Sequence, residues 1–205
     1  MNVAKKVIAM ACTIGLLGFA TLPMAATAEM TAAEQKAEQE ATRAREYFTN
    51  LDLINQDGET VRFFDDVLKD QVVVINFIFT NCDGACPLMT HKLSLVRDRM
   101  EGQIGDTVRF VSLSIDPERD TPAAMKEFAK THHADHEGWV FLTGKPENLE
   151  YIIKQLGQYT DDVEAHSTMM LAGNVSSAHW IKIQPYEQPP AITEKLQMLL
   201  RDNKI

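Results

Sequence analysis

Two sulfurs stand four positions apart in "TNCDGACP": Cys82 and Cys86, with Pro87 directly after the second. The chain holds one other cysteine, Cys12, and six histidines at 91, 132, 133, 136, 166 and 179. Thiolates and imidazoles exchange disulfides, act as nucleophiles, and hold soft or borderline metal ions. The pair follows the apolar run "VVVINFIF" and precedes a proline, so it belongs at the lip of a strand where a helix begins. With Pro87 as the first helical residue, Cys86 falls near the N-cap and Cys82 in the preceding loop. Free N–H groups and the macrodipole of that first turn favour negative charge, which predicts sulfurs stabilised as thiolates. Gly84 gives the intervening loop freedom to turn both sulfurs toward one point.

Three chemistries fit such a pair. A structural disulfide would close a ring of five residues, which constrains the unfolded chain little. A redox dithiol would make Cys82 and Cys86 catalytic, although thioredoxin-type catalysis uses C-x-x-C and this spacing is one longer. A soft metal ion would take both thiolates and need a third ligand from elsewhere. The histidines are the candidates. His91 lies five residues past Cys86 on the outgoing helix and should point away. His132, His133 and His136 in "THHADHEGW" read as solvated loop residues, and His179 beside Trp180 as a packing or edge residue. His166, in "DDVEAHSTMML", sits where a loop enters a late strand.

The elements that must position these groups follow from periodicity. "DLINQDGETVRF" suggests two short strands about an Asp57-Gly58 turn. "QVVVINFIFT" and "TVRFVSLSI" are β-branched and aromatic runs of the kind buried on both faces of a sheet, and "GWVFLTG" is a third strand. Met89, Leu93, Val96 and Met100 form the stripe of a helix after Pro87. A second helix begins near Asp120-Thr121-Pro122, with Asp116 and Asp120 read as turn and capping residues. Leu149, Ile152, Ile153 and Leu156 mark a third. Two closing strands, about 167–172 and 178–184, precede a final helix on Ile192, Leu196, Leu199 and Leu200.

Strands separated by helices imply parallel crossovers, and the late hairpin implies an antiparallel edge. The fold class is therefore α/β and thioredoxin-like: a mixed central sheet with flanking helices and an extra N-terminal β-hairpin. Sites of open α/β sheets lie beyond the carboxyl ends of the strands, where the cysteines fall. In that layout the loop entering the final hairpin faces the cysteine loop, and thioredoxins place a cis-proline there. This chain has no proline between Pro146 and Pro185; His166 occupies the spot. Two thiolates and an imidazole suit Cu(I).

Residues 1–28 read as a secretory signal peptide: Lys5 and Lys6, an apolar stretch, then Ala26-Thr27-Ala28. Cys12 would leave with it, and the mature chain would be periplasmic, touching a membrane only through its partner or an uncleaved signal anchor. The formal charge of −9 would become −11, because two lysines and no acid depart. Such an acidic surface argues against nucleic acid as a partner. Residues 29–48 read as a helical or partly ordered arm outside the core, and 49–205 as the thioredoxin-like domain.

The segments "FIFTNCDGACPLMT", "SLSIDPERDTP", "WVFLTG" and "AHSTMML" together resemble, in order and spacing, the Sco/SenC proteins, copper chaperones of cytochrome c oxidase assembly. The resemblance covers about residues 50–203. It implies that Cys82, Cys86 and His166 are copper ligands. It also implies delivery of copper, as Cu(I), Cu(II) or both, to the CuA centre in oxidase subunit II or to another copper chaperone. Asp116 and Asp120 match the family's acidic positions, and Met169 and Met170 are candidate thioether donors during transfer. The competing expectation is a periplasmic thiol–disulfide oxidoreductase acting on the cysteines of a copper-protein acceptor.

Overall fold

The computed structural model describes residues 31–100 and 102–202; the signal segment and Cys12 lie outside them. Seven strands form one sheet in the order β2-β1-β5-β4-β3-β6-β7. They are β1 (Asp52–Asn55), β2 (Thr60–Arg62), β3 (Val72–Ile78), β4 (Val108–Ser114), β5 (Trp139–Thr143), β6 (Met170–Asn174) and β7 (His179–Ile183). The three middle strands β5, β4 and β3 run parallel. β1 and β2 are antiparallel to each other, and β1 joins the sheet antiparallel to β5. β6 and β7 add two antiparallel strands on the far side of β3.

The helices are α1 (Ala32–Phe48), α2 (Ala85–Arg99), α3 (Pro122–Thr131), α4 (Pro146–Gln155) and α5 (Pro189–Arg201). Alternation along β3 builds two cores. Val72, Val74 and Ile78 face α2, α3 and α5, where Leu93, Val96, Met125, Phe128, Ile192 and Leu196 are buried. Val73, Ile75 and Phe77 face α4, the end of α1 and a π-helical turn at Phe63–Leu68. All seven β3 residues are buried, which is why the run lacks the polar alternation of a one-sided strand. Each fully buried aliphatic or aromatic side chain contributes roughly 1.5–3 kcal/mol, so the strand under the cysteines is a rigid platform. One close approach depends on a missing side chain: a Cβ on Gly138 would meet the Gly105 backbone nitrogen at 2.3 Å, so only glycine lets the β5 entry pass there.

Three boundaries differ from the sequence reading. The arm is helical over residues 32–48, but it is not outside the core: Phe48 is buried against the Trp180 ring at 4.9 Å. Its isolated aromatic end at the close of a polar run hid that anchor. β6 starts at Met170 rather than near 167, because Ser167 Oγ accepts the Met169 N–H and turns the chain first. α2 starts at Ala85, two residues before the proline, with Gly84 as its N-cap. Pro87 occupies the third helical position, where its missing N–H has no intrahelical partner to lose.

Candidate functional site

Cys82 ends a turn that closes through its N–H on the Phe79 carbonyl, 3.2 Å away, just past β3. Cys86 lies in the first turn of α2, and its N–H donates to Cys82 Sγ at 3.4 Å. A helix N–H thus points at the first sulfur, as a first-turn amide does toward an anion. Cys86 is 2% exposed, on the core side of the helix, while Cys82 is half-buried and packed on the same cluster. Neither sulfur is in a disulfide.

His166 arrives from the other side of β3. A short 3-10 turn at Val163–Ala165 lifts the chain after α4, and His166 caps it before β6. Two contacts fix the ring. Nδ1 lies 2.8 Å from the Val163 carbonyl, so it carries the proton and donates. The Phe79 ring meets the imidazole edge-on at 5.5 Å. With Nδ1 committed as donor, Nε2 is the ring's acceptor, and it takes the Cys86 thiol at 3.8 Å from Sγ. An imidazole whose Nδ1 is held by a carbonyl is fixed in the tautomer in which Nε2 could bond a metal ion once the thiol proton leaves. The donors suit a soft monovalent ion. Among the described residues, no three donors already converge at metal-binding distance. The fold brings Cys86 and His166 together and holds Cys82 at the adjacent turn.

The thiols are not both the activated nucleophiles that the helix position suggested. Burial pushes the Cys86 thiol up to about 12, against a smaller downward pull from the Phe79 peptide; the Cys82 sulfur and Asp120 push it further up. Desolvation of a thiolate outweighs the helix dipole when the sulfur points into the core. A Cys82→Ser variant isolates the remaining thiol. Its Cys86 should be alkylated by iodoacetamide far more slowly than a free thiol at pH 8. The rate should rise about tenfold per pH unit through pH 9 and 10, because only the thiolate reacts. Mass-resolved alkylation kinetics check this; a plateau below pH 9 would contradict the buried, protonated sulfur.

Asp120 was expected to cap α3, and it does not. Thr121 is the N-cap, its Oγ1 accepting the Ala124 N–H. Asp120 is buried instead: Oδ1 accepts from the Thr80 N–H at 2.8 Å and Thr80 Oγ1 at 2.6 Å, and Oδ2 from Ser114 Oγ at 2.6 Å. Burial raises its pKa, and those same donors oppose the rise. Asp116 keeps its turn role: its carbonyl accepts the N–H groups of Arg119 and Asp120, and its carboxylate pairs with Arg119.

The remaining histidines sit elsewhere. His91 is exposed on α2. His132 lies against the Phe128 ring, where burial lowers its pKa, and His136 Nδ1 accepts the Gly138 N–H. His179 pairs with Asp202 on the edge strand β7. Met170 fills the core, and half-buried Met169 lies 3.8 Å from Gln184 Nε2. The residues missed from sequence are Phe79, Val163, Thr80 and Ser114. Phe79 and Thr80 act across long separations, whereas Val163 and Ser114 act through nearby turns that no side-chain pattern marks.

A mixed sheet of this order, with a cysteine pair at the lip of β3 and an imidazole facing it, defines a thioredoxin-like thiol protein. Within that class the chain belongs to the SCO1/SenC family, whose model matches residues 28–201. The SCO1 protein homolog of Bacillus subtilis (strain 168) is 40% identical over 90 residues, 44% of this chain and 45% of that protein. The chain thus spans about half the length of such curated relatives. Bradyrhizobium japonicum ScoI with copper bound is 25% identical, with a TM-score of 0.60 over 72% of this chain and 96% of that one. BsSco, described with a disulfide switch and as a member of the Sco family of cytochrome c oxidase assembly proteins, is 25% identical. Its TM-score is 0.62 over 74% of this chain and 92% of that one.

Proposed function

We propose that this protein is a periplasmic copper chaperone that binds one copper ion through Cys82, Cys86 and His166. It passes that ion to a cuproenzyme, the CuA centre of cytochrome c oxidase first among acceptors. The observation that carries the reading is the 3.8 Å approach of His166 Nε2 to Cys86 Sγ, with Nδ1 tied back to Val163. The copper-bound state of a structural relative supports it. Copper is cargo here. Loading needs both thiols reduced, and each loses its proton as the sulfur bonds to metal, so the high pKa of Cys86 makes binding proton-coupled. Cys82 turns its sulfur from the Cys86 amide toward the ion, and release proceeds by stepwise exchange with the acceptor's ligands.

A second reading, a thiol–disulfide oxidoreductase acting on the acceptor's cysteines, is favoured by one contact. The Cys86 N–H on Cys82 Sγ marks Cys82 as an attacking sulfur and Cys86 as its resolving partner. Reduced protein should carry about one copper per chain on metal analysis, and the Cys82–Cys86 disulfide form almost none. Turnover in a disulfide-reduction assay should be negligible in the same sample. Turnover without tight copper would hand the site to the oxidoreductase.

A further inference from the structure

We infer that Asp120 is the positioning residue of the cysteine loop: its carboxylate ties Thr80 to β4 and thereby sets where Cys82 stands relative to Cys86. Thr80 is the link between the last β3 turn and the first sulfur, two residues before Cys82. Both of its donors, N–H and Oγ1, converge on Oδ1 of Asp120, across a separation of 40 residues. The other oxygen is anchored by Ser114 Oγ at the end of β4, whose backbone pairs with the end of β3. Asp120 is 1% exposed. A buried carboxylate is costly unless its lone pairs are filled, so the three donors and the acid are locked together. The clamp therefore holds the loop from below, on rigid strand ends, while the loop's upper face stays open.

Holding Cys82 in place raises the effective concentration of one sulfur at the other, and of both at any ion between them. The inference rests on Cys82 and Cys86 working as one site, and the dithiol itself gives a readout free of copper. In a glutathione buffer, Cys82 and Cys86 lose two electrons and two protons to form their S–S bond. One oxidised glutathione takes these up as two reduced thiols.

Asp120→Ala should lower the equilibrium constant for that ring closure by about tenfold. Asp120→Asn should stay within about threefold of the parent, because its Oδ1 still accepts from Thr80 and its amide donates to Ser114 Oγ. Rescue by asparagine separates a tether from a charge effect. If Asp120→Ala does not fold, Thr80→Val removes the side-chain bond alone, and a fall of about threefold is expected. An unchanged constant in the alanine or valine variant would overturn the inference, as would an asparagine loss equal to that of alanine. Copper affinity, measured in parallel, should fall in the same order. Absence of copper binding by the parent chain would defeat the chaperone reading and leave the tether to be judged on the glutathione result.

Discussion

Replacing His166 with alanine should abolish the thiolate-to-copper absorption of the Cu(II) form and weaken Cu(II) binding by about 100-fold or more. The magnitude follows from the ring's place in the site. Removing a group that merely orients a metal ligand costs 10–100-fold, so loss of the nitrogen donor of the proposed ligand set falls at or beyond that upper end. Cu(I) should survive on Cys82 and Cys86 with lower affinity, because two thiolates suit the softer ion. The backbone is untouched: the His166 N–H donates to the Val163 carbonyl, and alanine keeps that bond. Absorption titration with Cu(II) and competition with a Cu(I) chelator measure the two arms. An unchanged spectrum and affinity would remove His166 from the ligand set.

The second large effect belongs to Phe79. Its side chain is 4% exposed, closes the end of the α2-facing core, and meets the His166 ring edge-on. Phe79→Ala should therefore destabilise the protein by about 3–5 kcal/mol, the usual loss for deleting a buried phenyl ring. For a domain of this size each kcal/mol lowers the melting temperature by about 2–4 °C. It should also loosen the imidazole, so the copper spectrum broadens before unfolding begins. Thermal melts of the apo and copper forms test both parts. A drop under about 1 kcal/mol would mean the phenyl ring is not holding the platform.

Much of the platform was readable without coordinates, and for a physical reason. Runs such as "VVVINFI" and the stripe of Leu93 and Val96 record burial by one or two neighbouring layers, which is what periodicity measures. His166 was reached through a missing proline, because the topology leaves one place opposite a strand-end cysteine loop. The ring's orientation was not readable: the Val163 carbonyl and the Phe79 ring hold it, and no spacing rule pairs either with His166. Asp120 was misread as a cap because Thr121 is equally good at the task and the carboxylate's true partner lies 40 residues back. The elevated pKa of Cys86 escaped for a related reason. Proline spacing locates the start of a helix within a residue or two, and that shift decides whether a sulfur faces solvent or core.

β3 sits between β4, the next strand in the chain, and β6, which pairs with it antiparallel from Val72 opposite Asn174 to Ile75 opposite Leu171 and comes much later. A ribosome makes the chain from its amino end, so Cys82 is synthesised 84 positions before His166. The second sulfur, Cys86, precedes His166 by 80 positions, so at 5–20 residues per second the completed pair waits about 4–16 s. During that wait the nascent dithiol has no imidazole opposite it, and any oxidant or stray metal that reaches it meets an unfinished cradle.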